Sequence, residues 1–174
     1  MIKYYIINGR AGAGKDTFVY FCQNHAGNKV ILNISTVDFV KRIATLCGWT
    51  GEKDEKNRRF LSDLKDLLSR WNDVPFKEIL KTIEHYKENS LGADLIFFIH
   101  CREPEEIKRL RDFLGAKTIF IKRDTMPQVT SNHADKNVEN FEYDIYIENN
   151  GTVEELSEKA QQLLIEEEKK KDEN

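Results

Sequence analysis

The sequence is poor in cysteine and has no long hydrophobic run. Its 174 residues include three cysteines, Cys22, Cys47 and Cys101, which lie far apart and have no C-x-x-C spacing. This distribution is typical of reduced thiols and argues against a disulfide framework or a zinc site. No apolar run approaches the roughly 20 residues that span a bilayer, and Met1 leads directly into a predicted strand without room for a signal peptide. We therefore expect a cytoplasmic protein with no membrane segment.

The sequence also lacks a strong excess of either charge. It has 27 Lys and Arg residues against 30 Asp and Glu residues, for a formal net charge of −3 at pH 7. This balance argues against broad electrostatic binding to nucleic acid or to an anionic membrane, so any such contact would have to be local. With 40% hydrophobic residues, a chain of this length is suited to one globular domain.

The most informative segment is a glycine-rich stretch directly after the apolar run 4–7. It consists of Gly9, Arg10, Ala11, Gly12, Ala13, Gly14, Lys15, Asp16 and Thr17. Glycines allow positive φ angles and let successive N–H groups point inward, and the helix that follows adds its positive N-terminal dipole. The stretch fits the pattern G-x-x-x-x-G-K and predicts a phosphate-binding loop, in which Lys15 contacts the β and γ phosphates of a nucleotide.

The loop departs from the usual pattern at one position. Asp16 stands where a Ser or Thr normally ligates magnesium, and Thr17 follows one residue later. Asp16 and Thr17 are therefore the first candidate ligands of Mg²⁺. A carboxylate beside the phosphates of ATP is repulsive unless the metal ion neutralises it.

Five short apolar runs are typical of buried strands. They cover residues 4–7, 30–34, 94–101, 117–121 and 143–147, and helical patterns alternate with them. Near-continuous apolar strands are covered on both faces, and the alternation with helices favours parallel pairing through right-handed crossovers. The sequence therefore predicts a three-layer α/β fold.

Several helix ends can be read from the sequence. Pro104 is suited to a first helical turn, Gly115 to the end of the same helix, and Thr152 to the start of the last helix. The final residues, 166–174, are a run of glutamates and lysines, for which we expect a solvated helix end.

The longest insertion, residues 36–92, lies between the second and third strands. A crossover needs only about a dozen residues, so this helical excursion predicts a subdomain beside the phosphate loop that binds a second substrate. Its helices are predicted over residues 37–47, 55–71 and 76–88, with Trp71 packed inside. We predict one domain over residues 1–174, with this insertion and a short lid at about 123–142.

Five segments together resemble P-loop kinases of small phosphorylated metabolites. The resemblance is greatest to the deoxynucleoside monophosphate kinase family of phages and bacteria, and is more distant to adenylate kinase and animal phosphomevalonate kinase. The segments are Gly14-Lys15-Asp16-Thr17, residues 35–41, residues 58–61 with Arg70, residues 102–107 and residues 143–152. The resemblance implies a P-loop NTPase fold whose five parallel strands take the order 2-3-1-4-5.

The resemblance also implies transfer of the γ-phosphoryl group of ATP to a nucleoside or deoxynucleoside monophosphate. The acceptor phosphate is already an anionic nucleophile, so the reaction needs cations more than a general base. Lys15, Arg102 and Arg123 are the candidate catalytic cations, although ordinary solvated arginines remain an alternative for the last two.

Six further residues are candidate contacts for the acceptor. They are Ser35, Asp38, Lys41, Arg58, Arg59 and Arg70. Ser35 and Thr36 are equally suited to capping the helix that follows the second strand, and Asp38 is suited to the first turn of that helix. The arginines are equally suited to a solvated helix face. Relatives often carry an aspartate at the end of the third strand, where this sequence has His100, and Glu103 is the nearest substitute as a ligand of Mg²⁺.

Two other functions remain open. One is a nucleotide-binding or regulatory protein without catalysis, because Asp16 and His100 depart from the pattern of the kinases. The other is a kinase that phosphorylates a different small metabolite. In each case we expect a small-molecule ligand, and neither a membrane nor a nucleic acid as partner.

Overall fold

The computed structural model describes residues 1–52, 54–124 and 141–172. Strands and helices alternate along these residues, as the sequence predicts. In chain order they are β1 (Ile2–Asn8), α1 (Lys15–Asn24), β2 (Val30–Ser35), α2 (Asp38–Leu46), α3 (Glu55–Asn72), α4 (Val74–Glu88), β3 (Leu95–His100), α5 (Pro104–Leu114), β4 (Lys117–Lys122), β5 (Ile145–Glu148) and α6 (Val153–Asp172).

The five strands form one parallel sheet in the order β2-β3-β1-β4-β5. In the ladder between β1 and β3, Ile7 pairs with His100, and in the ladder between β1 and β4, Asn8 pairs with Phe120. The central strand β1 is therefore flanked by β3 and β4, and the carboxyl ends of all three strands lie at one edge. Both the strand order and the parallel sheet confirm the predicted fold.

Helices cover the sheet on both faces. On one face, α1 and α6 bring Phe18 and Leu156 into a single core with Tyr5 and Phe98. The rings of Tyr5 and Phe98 stack with their centroids 5.2 Å apart. Helix α5 packs against β1 and β4 and buries its own apolar side chains. This double covering explains why residues 95–99 of β3 are apolar and buried without interruption.

Most helix ends agree with the sequence signals. Pro104 is the first residue of α5, and Gly115 ends that helix with a φ of 62°. At the start of α6, the hydroxyl of Thr152 accepts a hydrogen bond from the N–H of Glu155 at 3.3 Å. Helix α4 begins at Val74, two residues before its predicted start, and Pro75 occupies its first turn, where a missing N–H costs nothing.

The last strand begins later than predicted, at Ile145 instead of residue 143. Asp144 accepts hydrogen bonds from the N–H and the hydroxyl of Thr118, both at 2.7 Å, and its own N–H donates to that hydroxyl. Burial raises the pKa of the Asp144 carboxyl, but the bonds from Thr118 outweigh burial and leave the pKa below its usual value. Side-chain bonds thus replace ladder bonds at this end of the strand.

The charged end of α6 differs from the solvated end that we expected. Helix α6 continues to Asp172, and the side chain of Glu167 is only 3% exposed. Its carboxylate forms ion pairs with Lys3 of β1 and, at 2.9 Å, with Lys117 of β4. The prediction of a solvated helix end was wrong for Glu167, because two lysines at the amino ends of neighbouring strands form ion pairs with its carboxylate. Among the described residues, no helix is long and apolar enough to cross a membrane.

Backbone contacts divide the chain into two compact units, one of Met1–Asn33 with Gly92–Asn174 and one of Ile34–Leu91. The second unit contains α2, α3 and α4, and α3 contributes no fully buried side chain to it. Trp71 is 81% exposed, so the expectation that it packs inside the insertion was wrong. At about 100° per residue, Trp71 lies on the same side of α3 as the exposed Phe60 and Leu67.

Candidate functional site

The glycine-rich stretch forms a tight loop between β1 and α1. Gly9, Gly12 and Gly14 have φ angles of 149°, 79° and 98°, in a region that other residues rarely adopt. Within the loop, the N–H of Ala13 donates to the carbonyl of Arg10 at 3.1 Å. The predicted turn of the main chain is therefore present, and it leads directly into a helix.

Two of these glycines are also required by close neighbours. A Cβ atom on Gly9 would overlap the carbonyl oxygen of Ile121 in β4. A Cβ atom on Gly14 would lie 2.5 Å from the side-chain nitrogen of Asn149. Both positions need glycine for space as well as for conformation, which holds the loop close to the ends of β4 and β5.

The first turn of α1 has no side-chain cap. Gly14 is the N-cap residue and makes no side-chain hydrogen bond, and the first bond of the helix runs from the N–H of Phe18 to the Gly14 carbonyl at 2.9 Å. The N–H groups before Phe18 lie at the positive end of the helix dipole. Such a helix start is suited to binding an anion.

Lys15 lies across the loop that precedes it. Its Nζ donates to the carbonyl oxygens of Gly9 at 2.7 Å and Arg10 at 2.9 Å. Hydrogen bonds between two ionised groups are stronger than bonds to neutral carbonyls, so a phosphate is a better partner for this ammonium group than either carbonyl. The structure thus brings a lysine, positive-φ glycines and a helix start together.

Two of the three candidate ligands of Mg²⁺, Asp16 and Thr17, lie in the first turn of α1. Asp16 is in the first turn of α1, 87% exposed, and its Oδ1 is 3.6 Å from Nε2 of His100. Thr17 follows it and is exposed, and Glu103 is the N-cap residue of α5. Among the described residues, no group of three or more His, Cys, Asp and Glu side chains is arranged to hold a metal ion. The three residues stay predicted ligands.

Arg102 and Arg123 follow strands on either side of β1. Arg102 lies two residues after the end of β3, and Arg123 lies one residue after the end of β4. Both side chains are exposed. Since the three strands are parallel, both arginines start from the edge of the sheet at which the glycine-rich loop leaves β1. Their catalytic role stays a prediction.

Asp38 contacts both Ser35 and Lys41 inside the second unit. A side-chain oxygen of Asp38 accepts from the N–H of Ser35 at 2.7 Å, and Lys41 lies 3.9 Å from the same carboxylate. The N-cap of α2 is Val37 and makes no side-chain bond, so neither Ser35 nor Thr36 caps this helix. Instead, the hydroxyl of Ser35 accepts from the N–H of Val37 at 3.4 Å. Their role in acceptor binding stays a prediction.

The three candidate arginines of the insertion, Arg58, Arg59 and Arg70, are exposed on α3. Arg59 lies 3.9 Å from the carboxylate of Asp63, one turn later, and its side chain is 84% exposed. Arg58 precedes it, and Arg70 lies in the last turn of the helix. These positions fit the solvated helix face that was the alternative interpretation, and an acceptor role for any of them stays a prediction.

Asn8 holds the start of the loop and was not predicted as a site residue. It is fully buried, its side-chain oxygen accepts from the N–H of Gly9 at 2.8 Å, and its Nδ2 donates to the hydroxyl of Tyr143 at 2.8 Å. The same Nδ2 donates to the carbonyl of Arg102 at 3.3 Å. A polar residue at the end of an otherwise apolar strand was the available signal, since a buried amide must find partners.

Asn149 holds the other end of the loop and was also missed. Its Nδ2 donates to the carbonyl of Ala13 at 2.9 Å. The pair Asn149-Asn150 directly follows β5 in the sequence, but nothing in the sequence shows which loop it meets. Most of the predicted lid at 123–142 lies outside the described residues, which leave out 125–140.

No protein-family model matches the chain, and no curated protein matches it. A solved structure of a sugar kinase from Janibacter sp., determined without ligand, superimposes with a TM-score of 0.48 at 17% sequence identity. The superposition covers 94% of this chain and 95% of that one.

Proposed function

We propose that the chain is a kinase that binds ATP at the loop Gly9–Thr17 and transfers its γ-phosphoryl group to a small phosphorylated acceptor. The observation that carries this proposal is the position of Lys15. Its ammonium group lies over the carbonyls of Gly9 and Arg10, directly before the uncapped start of α1. A polyphosphate at this place meets main-chain N–H donors, a helix dipole and a mobile cation.

In this proposal, Lys15 exchanges its two carbonyl partners for the β and γ phosphates. The main-chain N–H groups of the glycine-rich loop and of the first turn of α1 hold the remaining phosphate oxygens. Because these donors belong to the backbone, they are already oriented and need no rearrangement when charge moves during transfer.

The donor set fits a magnesium ion carried by the nucleotide. Thr17 and Asp16 offer a hydroxyl and a carboxylate, which are hard oxygen ligands, and Glu103 is a further carboxylate. Mg²⁺ usually keeps several waters and binds through one or two carboxylates together with the phosphates, so a dedicated cluster of protein ligands is not required. Asp16 and Thr17 would hold the bound Mg²⁺, with Glu103 as a further carboxylate, and the ion would neutralise part of the charge of the phosphates.

We propose a nucleoside or deoxynucleoside monophosphate as the acceptor. Its phosphate needs no general base, and its transfer gathers negative charge from both substrates. Arg102 and Arg123 follow strands at the edge of the sheet that carries the glycine-rich loop. One guanidinium group can donate hydrogen bonds to two oxygens of the same phosphate. The sequence resemblance to deoxynucleoside monophosphate kinases supports this choice over other acceptors.

A coupled assay for ADP release tests the proposal. The panel contains the common ribo- and deoxyribonucleoside monophosphates and several phosphorylated non-nucleotide metabolites. Lys15→Ala is the loss-of-function variant, and Lys87→Ala is the matched control, because Lys87 pairs with Glu84 on the surface of α4. We expect one monophosphate to stimulate turnover in the wild type and the control but not in Lys15→Ala.

Other results of the same assay select the alternatives. Stimulation by a non-nucleotide metabolite alone would keep the reaction and change the acceptor. In another outcome, ATP binds in a way that depends on Lys15 but without turnover on any acceptor. This result would favour a regulatory nucleotide-binding protein. The contact between Asp16 and His100 is consistent with that alternative. Failure of ATP to bind would reject the proposal.

A further inference from the structure

Two adjacent asparagines after β5 contact two separate parts of the proposed site. Asn149 and Asn150 lie between the end of β5 at Glu148 and the start of α6. Together they make hydrogen bonds to the phosphate loop and to both residues that flank Arg123. We call this pair the asparagine clamp.

One side of the clamp holds the phosphate loop. Nδ2 of Asn149 donates to the carbonyl of Ala13 at 2.9 Å, and Ala13 is 1% exposed. The next residue, Gly14, has no room for a Cβ atom because the Asn149 amide lies against it. The contact therefore fixes the last residues of the loop before Lys15.

The other side of the clamp holds the backbone around Arg123. The N–H of Asn149 donates to the carbonyl of Lys122 at 2.7 Å. The N–H of Asp124 donates to the side-chain oxygen of Asn150 at 2.8 Å, and Nδ2 of Asn150 donates back to the Asp124 carboxylate at 2.6 Å. Arg123 is thus fixed on both sides by one dipeptide.

We propose that Asn149 and Asn150 are positioning residues that hold the backbone of Arg123 at a set place relative to the phosphate loop. The part of this inference that concerns catalysis rests on the proposed function, in which Arg123 contacts the transferring phosphoryl group. The clamp limits the positions that the guanidinium group of Arg123 can occupy, because a long side chain on a fixed backbone samples fewer positions than one on a mobile backbone.

The chemistry of the two side chains requires an amide at position 150. A carboxamide offers a hydrogen-bond donor and an acceptor at the same time, and Asp124 needs both. Its N–H needs the acceptor, and its carboxylate needs the donor. Hydrogen bonds from Lys122 and Asn150 lower the pKa of the Asp124 carboxyl, so the group is ionised at neutral pH. A second carboxylate at position 150 would repel it.

An exchange of the two side chains tests the clamp. Asn150→Asp keeps the acceptor for the Asp124 N–H but sets two carboxylates against each other. Asp124→Asn combined with Asn150→Asp restores the pair with its polarity reversed, because the new amide donates to the new carboxylate. We expect Asn150→Asp to lower kcat about 10- to 100-fold with the KM for ATP little changed, and the double variant to recover most of the loss.

Asn149→Ala provides the matched test on the loop side. Because this variant releases the carbonyl of Ala13 next to Lys15, we expect it to raise the KM for ATP more than it lowers kcat. The control is again Lys87→Ala, which leaves the site untouched. A kcat that is the same in Asn150→Asp as in the wild type, or a double variant no better than Asn150→Asp, would overturn the positioning role.

Amide hydrogen exchange separates failure of the clamp from failure of the proposed function. The exchange of the Asp124 amide is measured in the wild type, Asn150→Asp and the double variant without any nucleotide. We expect faster exchange in Asn150→Asp and recovery in the double variant. Unchanged exchange in Asn150→Asp would overturn the clamp, whereas absent turnover in the wild type would reject the kinase proposal and leave the clamp to be judged by exchange alone.

Discussion

The two edges of the central sheet use lysine in different ways. At the carboxyl edge, the ammonium group of Lys15 donates to the main-chain carbonyls of Gly9 and Arg10. At the amino edge, Lys3 and Lys117 share the buried carboxylate of Glu167. The two carbonyl partners of Lys15 are neutral and an anion can replace them, whereas the ion pairs of Glu167 tie α6 to β1 and β4.

The lysine at the carboxyl edge is suited to binding an anion, whereas the lysines at the amino edge stabilise the fold. An anion that reaches the carboxyl edge meets a cation, backbone donors and a helix start, which are the parts of a phosphate site. At the amino edge, two lysines share a carboxylate that is 3% exposed, so the removal of one lysine would leave this buried charge with a single partner. The comparison can be tested by changing each edge separately.

The largest expected effect comes from replacing lysine at each edge in turn. We expect Lys15→Met to lower turnover roughly 100- to 1,000-fold, because a donor to the transferring phosphates is lost, with little change in the free energy of unfolding. Lys3→Met should lower the free energy of unfolding and leave turnover per folded molecule nearly unchanged. ADP release and urea denaturation measure the two quantities. A loss of stability in Lys15→Met equal to that in Lys3→Met would contradict the comparison.

The next effect concerns the backbone at the carboxyl edge. Gly9→Ala would place a Cβ atom against the carbonyl of Ile121, so we expect a loss of about 3 kcal/mol in the free energy of unfolding. The control is Gly27→Ala, where φ is 59° and no atom lies within 4 Å of the added Cβ. For Gly27→Ala we expect a loss of about 1 kcal/mol in the free energy of unfolding, which comes from backbone strain alone. Equal losses in urea denaturation would show that the contact with β4 is unimportant.

The smallest effect concerns Glu167 at the amino edge. Glu167→Gln keeps the shape of the side chain but removes the charge that Lys3 and Lys117 share. Both lysines are partly exposed and can regain water, so we expect a loss of about 1 to 3 kcal/mol in the free energy of unfolding. Urea denaturation at pH 7 measures it. Turnover per folded molecule should stay at the wild-type level.

The pH dependence of stability gives a second measurement on Glu167. Burial raises the pKa of this carboxyl, but hydrogen bonds from Lys3 and Lys117 outweigh burial and lower the pKa to about 2, below the ordinary 4.5. Since the folded-state pKa is depressed, its stabilising contribution is complete above about pH 4.5 and is lost as the pH falls towards about 2. The difference in stability between the wild type and Glu167→Gln should shrink over this range. A constant difference would show that the charge of Glu167 is not responsible.

The parts of the molecule that were predictable from sequence are local in the chain. The tight loop before α1 follows from glycines within nine residues, and the strands follow from short apolar runs. The predictions for Trp71 and Glu167 were wrong because a helical pattern shows which residues share one face of a helix. It does not show which other elements pack against that face. Asn149 could not be assigned, since its partner Ala13 lies 136 residues away in the chain.

The sequence by itself determined the order of strands and helices and the loop that is suited to phosphate, because periodicity, glycine and capping residues act over a few positions. Only the tertiary structure decided which residues hold that loop and which charges are buried. Glu167 and Lys3 are 164 residues apart in the chain and meet only because the sheet brings β1 beside α6. Contacts of this kind depend on the packing of complete elements, and no short pattern encodes them.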